Sequence, residues 1–139
     1  MRVTKSIVRT VAVLLLLALC SSEAVERKHL KATVEPGGEV LICTHKRFDK
    51  LCRPRPVPHV EITRPPANGT VTLRPGTYVI ENTWHPEAED FCRGQSVPGI
   101  GIYYRANPTF RGGDTFEYEV TLGIQHPITY GVDVQVNVK

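Results

Sequence analysis

Three stretches in the second half of the chain alternate apolar and polar residues with a period of two. Because successive side chains of a β-strand point to opposite faces, such alternation predicts strands with one buried face. The three stretches are residues 100–105, 115–122 and 130–138. Their apolar positions are Ile100, Ile102 and Tyr104; Phe116, Tyr118, Val120 and Leu122; and Tyr130, Val132, Val134, Val136 and Val138.

Shorter β-rich segments bounded by glycine, proline and asparagine predict further strands upstream. We expect them at residues 32–34, 39–43, 57–63, 70–73 and 77–80, with Asn68-Gly69 and Arg74-Pro75-Gly76 as turns. The charged segment 25–30 is predicted to be a loose lead-in. These short strands, without an amphipathic helix, indicate an all-β, Ig-like Greek-key β-sandwich of about seven to eight strands.

The N-terminal 24 residues are typical of a secretory signal peptide. An apolar run at 11–19 is too short for a membrane span, and small residues precede a cleavage point after Ala24. We therefore expect a signal peptide at 1–24 and a single domain at 25–139, with no transmembrane helix after cleavage. The basic residues of the leader are Arg2, Lys5 and Arg9.

Two alternatives to cleavage remain open. The leader could stay as an uncleaved anchor, or Cys20 could be lipidated, although Leu19 departs from the small residue that usually precedes a lipidated cysteine. The chain is exported in each case, so the predicted location is periplasmic or secreted.

Charge argues against a nucleic-acid partner. The whole chain has 17 basic and 14 acidic residues and a net charge of +3. Removing a leader with three basic residues and one acidic residue leaves 14 and 13, a net charge of +1. Such a near-neutral domain lacks the strongly basic balance of nucleic-acid-binding proteins.

Three cysteines follow the leader, so at most one intramolecular disulfide can form. Cys52–Cys92 is favoured because it closes a longer loop, worth roughly 4 kcal/mol in the chain-entropy treatment. A Cys43–Cys52 bridge would close a shorter one. In the favoured arrangement Cys43 is a buried free thiol, or it links two copies of the chain in a disulfide-bonded dimer.

Two segments resemble a family pattern. PPANGTVT at 65–72, followed by YYRANPTFRGGDTFEY at 103–118, resembles the P-x-x-G-x-V … Y-x-P-x-x-x-F-x-G-x-D-x-F-x-Y signature of bacterial Ig-like, cadherin-like domains. These domains occur in surface adhesins and as small exported proteins, and the resemblance covers about 57–138. It implies that eight residues specify the fold: Pro66, Gly69, Tyr104, Phe110, Gly112, Asp114, Phe116 and Tyr118.

The resemblance implies a role for this motif but not every property of the family. Phe110, Asp114, Phe116 and Tyr118 are expected to fix the last hairpin. Adhesin repeats occur in tandem, whereas this chain has one copy. Calcium-binding members have runs of acidic ligands, whereas Asp114 stands alone, so no calcium site is predicted.

A basic segment at 46–55 is the main candidate for binding. A Cys52–Cys92 bridge would bring it next to the acidic residues of 87–90. The two segments would either neutralise each other or form a charged edge for a partner such as an acidic envelope polysaccharide. The candidate binding residues are Lys46, Arg47, Arg53, Arg55, Trp84 and Tyr103.

The sequence indicates no catalytic or metal site. Cys43 and His45 would share one face of a strand, but a catalytic thiol also needs an exposed, electropositive setting and a third orienting group. His85, Glu87 and Glu89 lie in an acidic loop that lacks recognisable metal-ligand spacing. Hydrolase, phosphate-loop and dinucleotide motifs are missing from the sequence. We predict a non-enzymatic protein without a cofactor.

The predicted function is an exported binding or structural module that recognises a cell-envelope or extracellular protein or glycan. One alternative is an inhibitor or regulator of an exported enzyme. Another is a small metal- or redox-handling periplasmic protein built on His85, Glu87, Glu89 and Cys43.

Overall fold

A computed structural model describes residues 25–81 and 91–139, and over these ranges the chain forms seven strands in two sheets. The predicted all-β sandwich of about seven to eight strands is confirmed, with seven strands in the described residues. The strands are β1 (Arg27–Val34), β2 (Glu39–Lys46), β3 (His59–Arg64), β4 (Gly69–Val79), β5 (Ser96–Ala106), β6 (Gly112–Leu122) and β7 (Ile128–Val138).

The strand order is that of an Ig-like Greek key. One sheet runs β1-β7-β6-β3 and the other β2-β5-β4. In immunoglobulin nomenclature the first sheet has the order A-G-F-C and the second the order B-E-D. β1 pairs with β7 in parallel, and every other pair is antiparallel.

The lead-in predicted at 25–30 is mostly strand. β1 begins at Arg27 because its backbone pairs with β7 over eight residues. The side chains of Arg27, His29 and Lys31 lie on the outer face, where Arg27 contacts the carboxylates of Asp133 and Glu117. Leu30, on the other face, packs against the core.

The turn predicted at Arg74-Pro75-Gly76 is also wrong, because β4 runs through it without a break. All three residues pair with β5, opposite Gly101, Ile100 and Gly99 respectively. β4 is an edge strand, and an edge strand tolerates proline because one side of its backbone has no partner. The two short strands predicted here are therefore one.

A β-bulge in β2 changes which of its side chains face inward. Leu41 pairs with Tyr103 and Cys43 with Ile102, so Ile42 is the extra residue. Simple alternation would place Val40 and Cys43 on opposite faces. With the bulge, both pack against the core, and His45 follows two residues later on the same side.

The core lies between the sheets and contains a column of aromatic rings. Tyr104 and Phe116 stack with centroids 6.1 Å apart, and Phe116 and Tyr118 lie at the same distance. All three side chains are fully buried. The valines of β7 predicted to face inward, Val132, Val134, Val136 and Val138, complete the core.

Asp114, on β6, is buried and forms hydrogen bonds to the opposite sheet and to the connection between β3 and β4. It is 5% exposed and accepts hydrogen bonds from the backbone N–H groups of Ala67 and Asn68 and from the hydroxyl of Tyr104, at 3.1, 2.9 and 2.8 Å. These contacts link the start of β6 to the connection between β3 and β4. A Cβ on Gly69 would lie 2.5 Å from the Tyr104 ring, so only glycine fits beside this contact.

The predicted disulfide between Cys52 and Cys92 is confirmed, and Cys43 is a free thiol. The bridge lies in a second, smaller apolar cluster with Ile80 and Val97. This cluster attaches the 47–55 loop to the ends of β4 and β5, because Val97 belongs to β5 and Ile80 follows β4 directly.

The predicted signal peptide at 1–24, with Cys20, lies outside the described residues, as do Trp84, His85, Glu87 and Glu89. Within 25–81 and 91–139, no helix is long and apolar enough to cross a membrane.

Candidate functional site

A triangle of polar groups bridges the two sheets at one end of the sandwich. The Sγ of Cys43 lies 2.9 Å from the hydroxyl of Tyr118 and 3.4 Å from Nε2 of His45, and that Nε2 lies 3.0 Å from the same hydroxyl. Cys43 and His45 come from β2 and Tyr118 from β6. The β2 bulge produces this arrangement, because it turns Cys43 inward.

Tyr130 on β7 extends the triangle towards the surface. Its hydroxyl lies 3.3 Å from Nδ1 of His45. If His45 carries its proton on Nδ1, each donor of the triangle has an acceptor. Nδ1–H then donates to Tyr130, the Tyr118 hydroxyl donates to Nε2, and the Cys43 thiol donates to the Tyr118 oxygen. Among the described residues, no buried side-chain nitrogen or oxygen lacks a partner.

The electrostatics keep the thiol and the imidazole neutral. Burial raises the pKa of Cys43, against the opposing effect of the Tyr118 hydrogen bond. Burial, with Lys28 and Lys46 nearby, lowers the pKa of His45 to about 4. A catalytic cysteine–histidine pair instead needs a thiolate beside an imidazolium. The triangle therefore lacks the charge distribution of an activated nucleophile.

His45 also lies in the wall of an open groove of about 540 Å³. This volume is within the range of small-ligand sites in proteins. The groove is formed by the start of β1, the end of β2, the end of β6 and the start of β7. Its lining residues are Glu26, Lys28, Thr44, His45, Lys46, Arg47, Phe48, Pro58, Leu122, Ile128, Thr129 and Tyr130.

Three cationic side chains line this groove against one carboxylate. Lys28 places Nζ 4.6 Å from the centroid of the Tyr130 ring. Lys46 donates to the hydroxyl of Thr44 at 2.8 Å, and partial burial lowers its pKa. Arg47 is the third cation and Glu26 the carboxylate. A partly desolvated, net-positive concavity favours an anionic ligand, because low-dielectric walls strengthen its field.

The structure separates the four predicted basic residues into two pairs. Lys46 and Arg47 line the groove. Arg53 and Arg55 instead lie on the disulfide-bonded loop, where their guanidinium groups contact Asp49 at 2.8 and 3.5 Å. Asp49 also accepts the backbone N–H groups of residues 51 and 53, so it holds this loop together. Arg53 and Arg55 therefore have a partner within their own loop, the carboxylate of Asp49.

Tyr103 lies on the outer face of the β2-β5-β4 sheet, away from the groove. The guanidinium carbon of Arg74 lies 4.2 Å from its ring centroid. Arg74 is in turn held by both carboxylate oxygens of Glu39, at 2.8 and 2.7 Å. One face of the ring is thus already covered, so the structure does not bring Tyr103 together with Lys46 and Arg47.

The groove contains residues that sequence reasoning did not select as binding residues. Lys28 falls in the predicted lead-in and Tyr130 in a predicted strand, and neither is among the predicted binding residues. The contribution of Tyr130 depends on the start of β7 lying beside the end of β2. The only sequence feature that pointed to this site was the spacing of Cys43 and His45, which are two residues apart and therefore share a face of the strand.

Comparisons with family models, curated proteins and solved structures gave no match. Within the part of the chain that the structure describes, no group of three or more histidine, cysteine, aspartate or glutamate residues is placed to hold a metal ion.

Proposed function

We propose that this protein is an exported, non-catalytic binding module that takes an anionic group of a cell-envelope or extracellular partner into the basic groove. The observation that carries the proposal is the convergence of Lys28, Lys46 and Arg47 on one concavity beside the aromatic rings of Phe48 and Tyr130. Cations supply attraction to carboxylate or sulfate groups, and aromatic rings supply an apolar surface for the body of a ligand.

An acidic glycan fits this chemistry better than a neutral one. Its repeated negative charges would be attracted to a groove that is open to solvent. Export is supported by the leader-like sequence of 1–24 and by the Cys52–Cys92 disulfide, since disulfides persist in oxidising compartments. The neutral thiol and imidazole support a role without catalysis.

Charge reversal tests the proposal. The probe is immobilised polygalacturonate, a polyuronic acid, with neutral dextran as the reference surface. We expect Lys46→Glu/Arg47→Glu to weaken binding to polygalacturonate by about tenfold or more, which corresponds to roughly 1.4 kcal/mol. Added salt should weaken the binding of the unaltered protein, because it screens exposed charges.

The matched control is Lys31→Glu/Arg111→Glu, which makes the same change in net charge at two exposed positions outside the groove. It should bind nearly as well as the unaltered protein. Equal losses in both double variants would show that only the overall charge matters. Unchanged binding by the groove variant would also contradict the proposal.

A further inference from the structure

The large apolar side chains exposed on this domain are concentrated at one end of the sandwich. Eight such side chains are exposed in the described residues, and seven of them lie at the end where β1, β3, β5 and β7 begin. The seven are Val25, Leu51, Val57, Val79, Phe91, Ile124 and Ile128. The eighth, Leu41, lies within β2, opposite Tyr103.

Strand pairing brings the seven residues together from separate parts of the chain. Ile124 lies in the turn between β6 and β7, and Ile128 begins β7. β3 begins beside the end of β6, so Val57, just before β3, comes to the same end. The disulfide holds Leu51, through its neighbour Cys52, close to the start of β5.

The opposite end of the described domain is different. Its three connections, residues 35–38, 65–68 and 107–111, contain none of the exposed large apolar side chains. Phe110, which lies there, packs against the core instead. Single exposed apolar residues are normal on a protein surface, whereas a concentration of them marks a contact with another molecule or with a membrane.

Cations lie among these apolar side chains. The segment 46–55 contains five basic residues against the one carboxylate of Asp49, and Lys50, Arg53 and Arg55 are exposed. The core of a protein–protein interface is depleted in charged residues. A bilayer surface instead takes apolar side chains below its headgroups and attracts cations to its anionic lipids. The mixture of the two therefore favours an anionic lipid surface over a protein partner.

We propose that this end docks the domain onto an anionic lipid bilayer, with Leu51 and Ile124 inserted below the headgroups and the cations of 46–55 beside the lipid phosphates. Ile124 is 82% exposed and Leu51 is 55% exposed, and neither residue lines the groove. The inference goes beyond the proposed function, because it depends on these exposed side chains and not on a ligand in the groove. The groove lies at the same end, so docking places it against the headgroup layer.

Vesicle sedimentation tests the docking. The probe is vesicles of phosphatidylglycerol and phosphatidylcholine in equal parts, with pure phosphatidylcholine vesicles as the neutral reference. We expect the purified protein to bind the anionic vesicles at least about tenfold more tightly, because each cation near an anionic surface adds to the attraction. Added salt should weaken this binding, because it screens exposed charges.

Substitution of the inserted side chains should weaken the binding to anionic vesicles. Ile124→Ser and Leu51→Ser should each weaken it about fivefold or more, since each removes an apolar side chain that docking buries. The matched control is Leu41→Ser, which makes the same change at an exposed position away from this end. It should bind the vesicles like the unaltered protein.

The same variants separate this test from that of the groove. Ile124→Ser should bind polygalacturonate as tightly as the unaltered protein, because Ile124 does not line the groove. Failure of the unaltered protein to bind polygalacturonate would contradict the proposed function alone. Failure of the unaltered protein to bind anionic vesicles would overturn the docking inference alone.

A measurement on the unaltered chain locates the docked surface without any substitution. In ¹⁵N–¹H NMR spectra with bicelles of the same lipids, a spin-labelled lipid should broaden the amides of residues 50–52 and 123–126 and leave those of residues 109–111 unchanged. Broadening at residues 109–111 instead, equal binding to neutral vesicles, or equal losses in Ile124→Ser and Leu41→Ser would overturn the inference. A dimer that Ile124→Ser dissociates, without binding to vesicles, would assign this end to a second copy of the chain.

Discussion

The hydroxyl of Tyr118 lies 2.9 Å from the Sγ of Cys43, and this contact joins the two sheets across the core. Tyr118 is on β6 and Cys43 on β2, the equivalents of the F and B strands of an immunoglobulin domain. Antibody domains link the same two strands by a disulfide. Here a cysteine faces a tyrosine, so the inter-sheet link is a hydrogen bond rather than a covalent bond.

Removal of the Tyr118 hydroxyl should destabilise the domain. Tyr118→Phe removes the hydroxyl that contacts both the Cys43 thiol and Nε2 of His45 and leaves these groups only their own 3.4 Å contact, and an unsatisfied buried polar group costs about 1–3 kcal/mol. Urea unfolding measures the loss. Tyr118→Phe/Cys43→Val removes both members of the pair, and we expect a coupling energy of about 0.5–3 kcal/mol between the two sites. Strict additivity would show that this contact contributes nothing.

The domain should become less stable as the pH is lowered through the range in which His45 titrates. Its pKa is about 4 in the folded protein and 6.5 in the unfolded chain, so the unfolded chain binds more protons between these values. The free energy of unfolding therefore decreases as the pH falls from about 6.5 to 4, by roughly 3 kcal/mol in total. His45→Gln should flatten this slope in urea unfolding series, and the exposed-site control His59→Gln should retain it. An unaltered slope in His45→Gln would contradict the assignment.

Asp114 should be essential for stability although it is not placed in the groove. Asp114→Asn keeps the size of the side chain but replaces one carboxylate oxygen with an N–H₂ group. The donors that surround Asp114 then have one acceptor oxygen instead of two, and the N–H₂ group faces other donors. We expect a loss of at least about 2 kcal/mol in urea unfolding, because three partners outside the adjacent residue depend on this carboxylate. Glu119→Gln, with no hydrogen-bond partner among the described contacts, is the control and should change stability by less than about 0.5 kcal/mol. Equal effects of the two substitutions would argue against the structural role of Asp114.

The disulfide should stabilise the domain without specifying the sandwich. Cys52 and Cys92 are 40 residues apart, so Cys52→Ser/Cys92→Ser should cost roughly 4 kcal/mol of unfolding free energy in the chain-entropy treatment. The β-sheet circular dichroism should persist, because the main core does not include the bridge. Cys43→Ser should leave the sensitivity of the protein to reductants unchanged. Loss of the sheet signal in the double variant would show that the bridge is required for folding.

Local alternation was sufficient to predict the architecture and much of the core. The apolar positions of 115–122 and 130–138 became the inner faces of β6 and β7, because a period of two determines which side chains share a face. The disulfide was predicted because Cys52–Cys92 closes a longer loop than Cys43–Cys52, and because Cys43 lies at the end of a predicted core strand. These features depend on residues close in sequence or on simple counting.

The groove could not be predicted in this way, since it depends on contacts between distant strands. The charges of Arg27 and Lys28 predict a solvated lead-in, whereas their parallel pairing with β7 makes them part of a strand. The bulge at Ile42 has no sequence signal, yet it turns Cys43 towards Tyr118. Arg53 and Arg55 resembled Lys46 and Arg47 in sequence, and only the loop geometry assigns them to Asp49.

The most direct test of the binding proposal is a ¹⁵N–¹H NMR titration of the protein with an oligogalacturonate. The account predicts that shifts concentrate on the groove, in the backbone amides of Lys28, residues 44–48 and residues 128–130, and that they saturate with ligand. It also predicts that amides on the outer sheet face around Tyr103 stay unchanged. Saturable shifts confined to that outer face, or no saturable shifts anywhere, would contradict the assignment of the groove as the binding site.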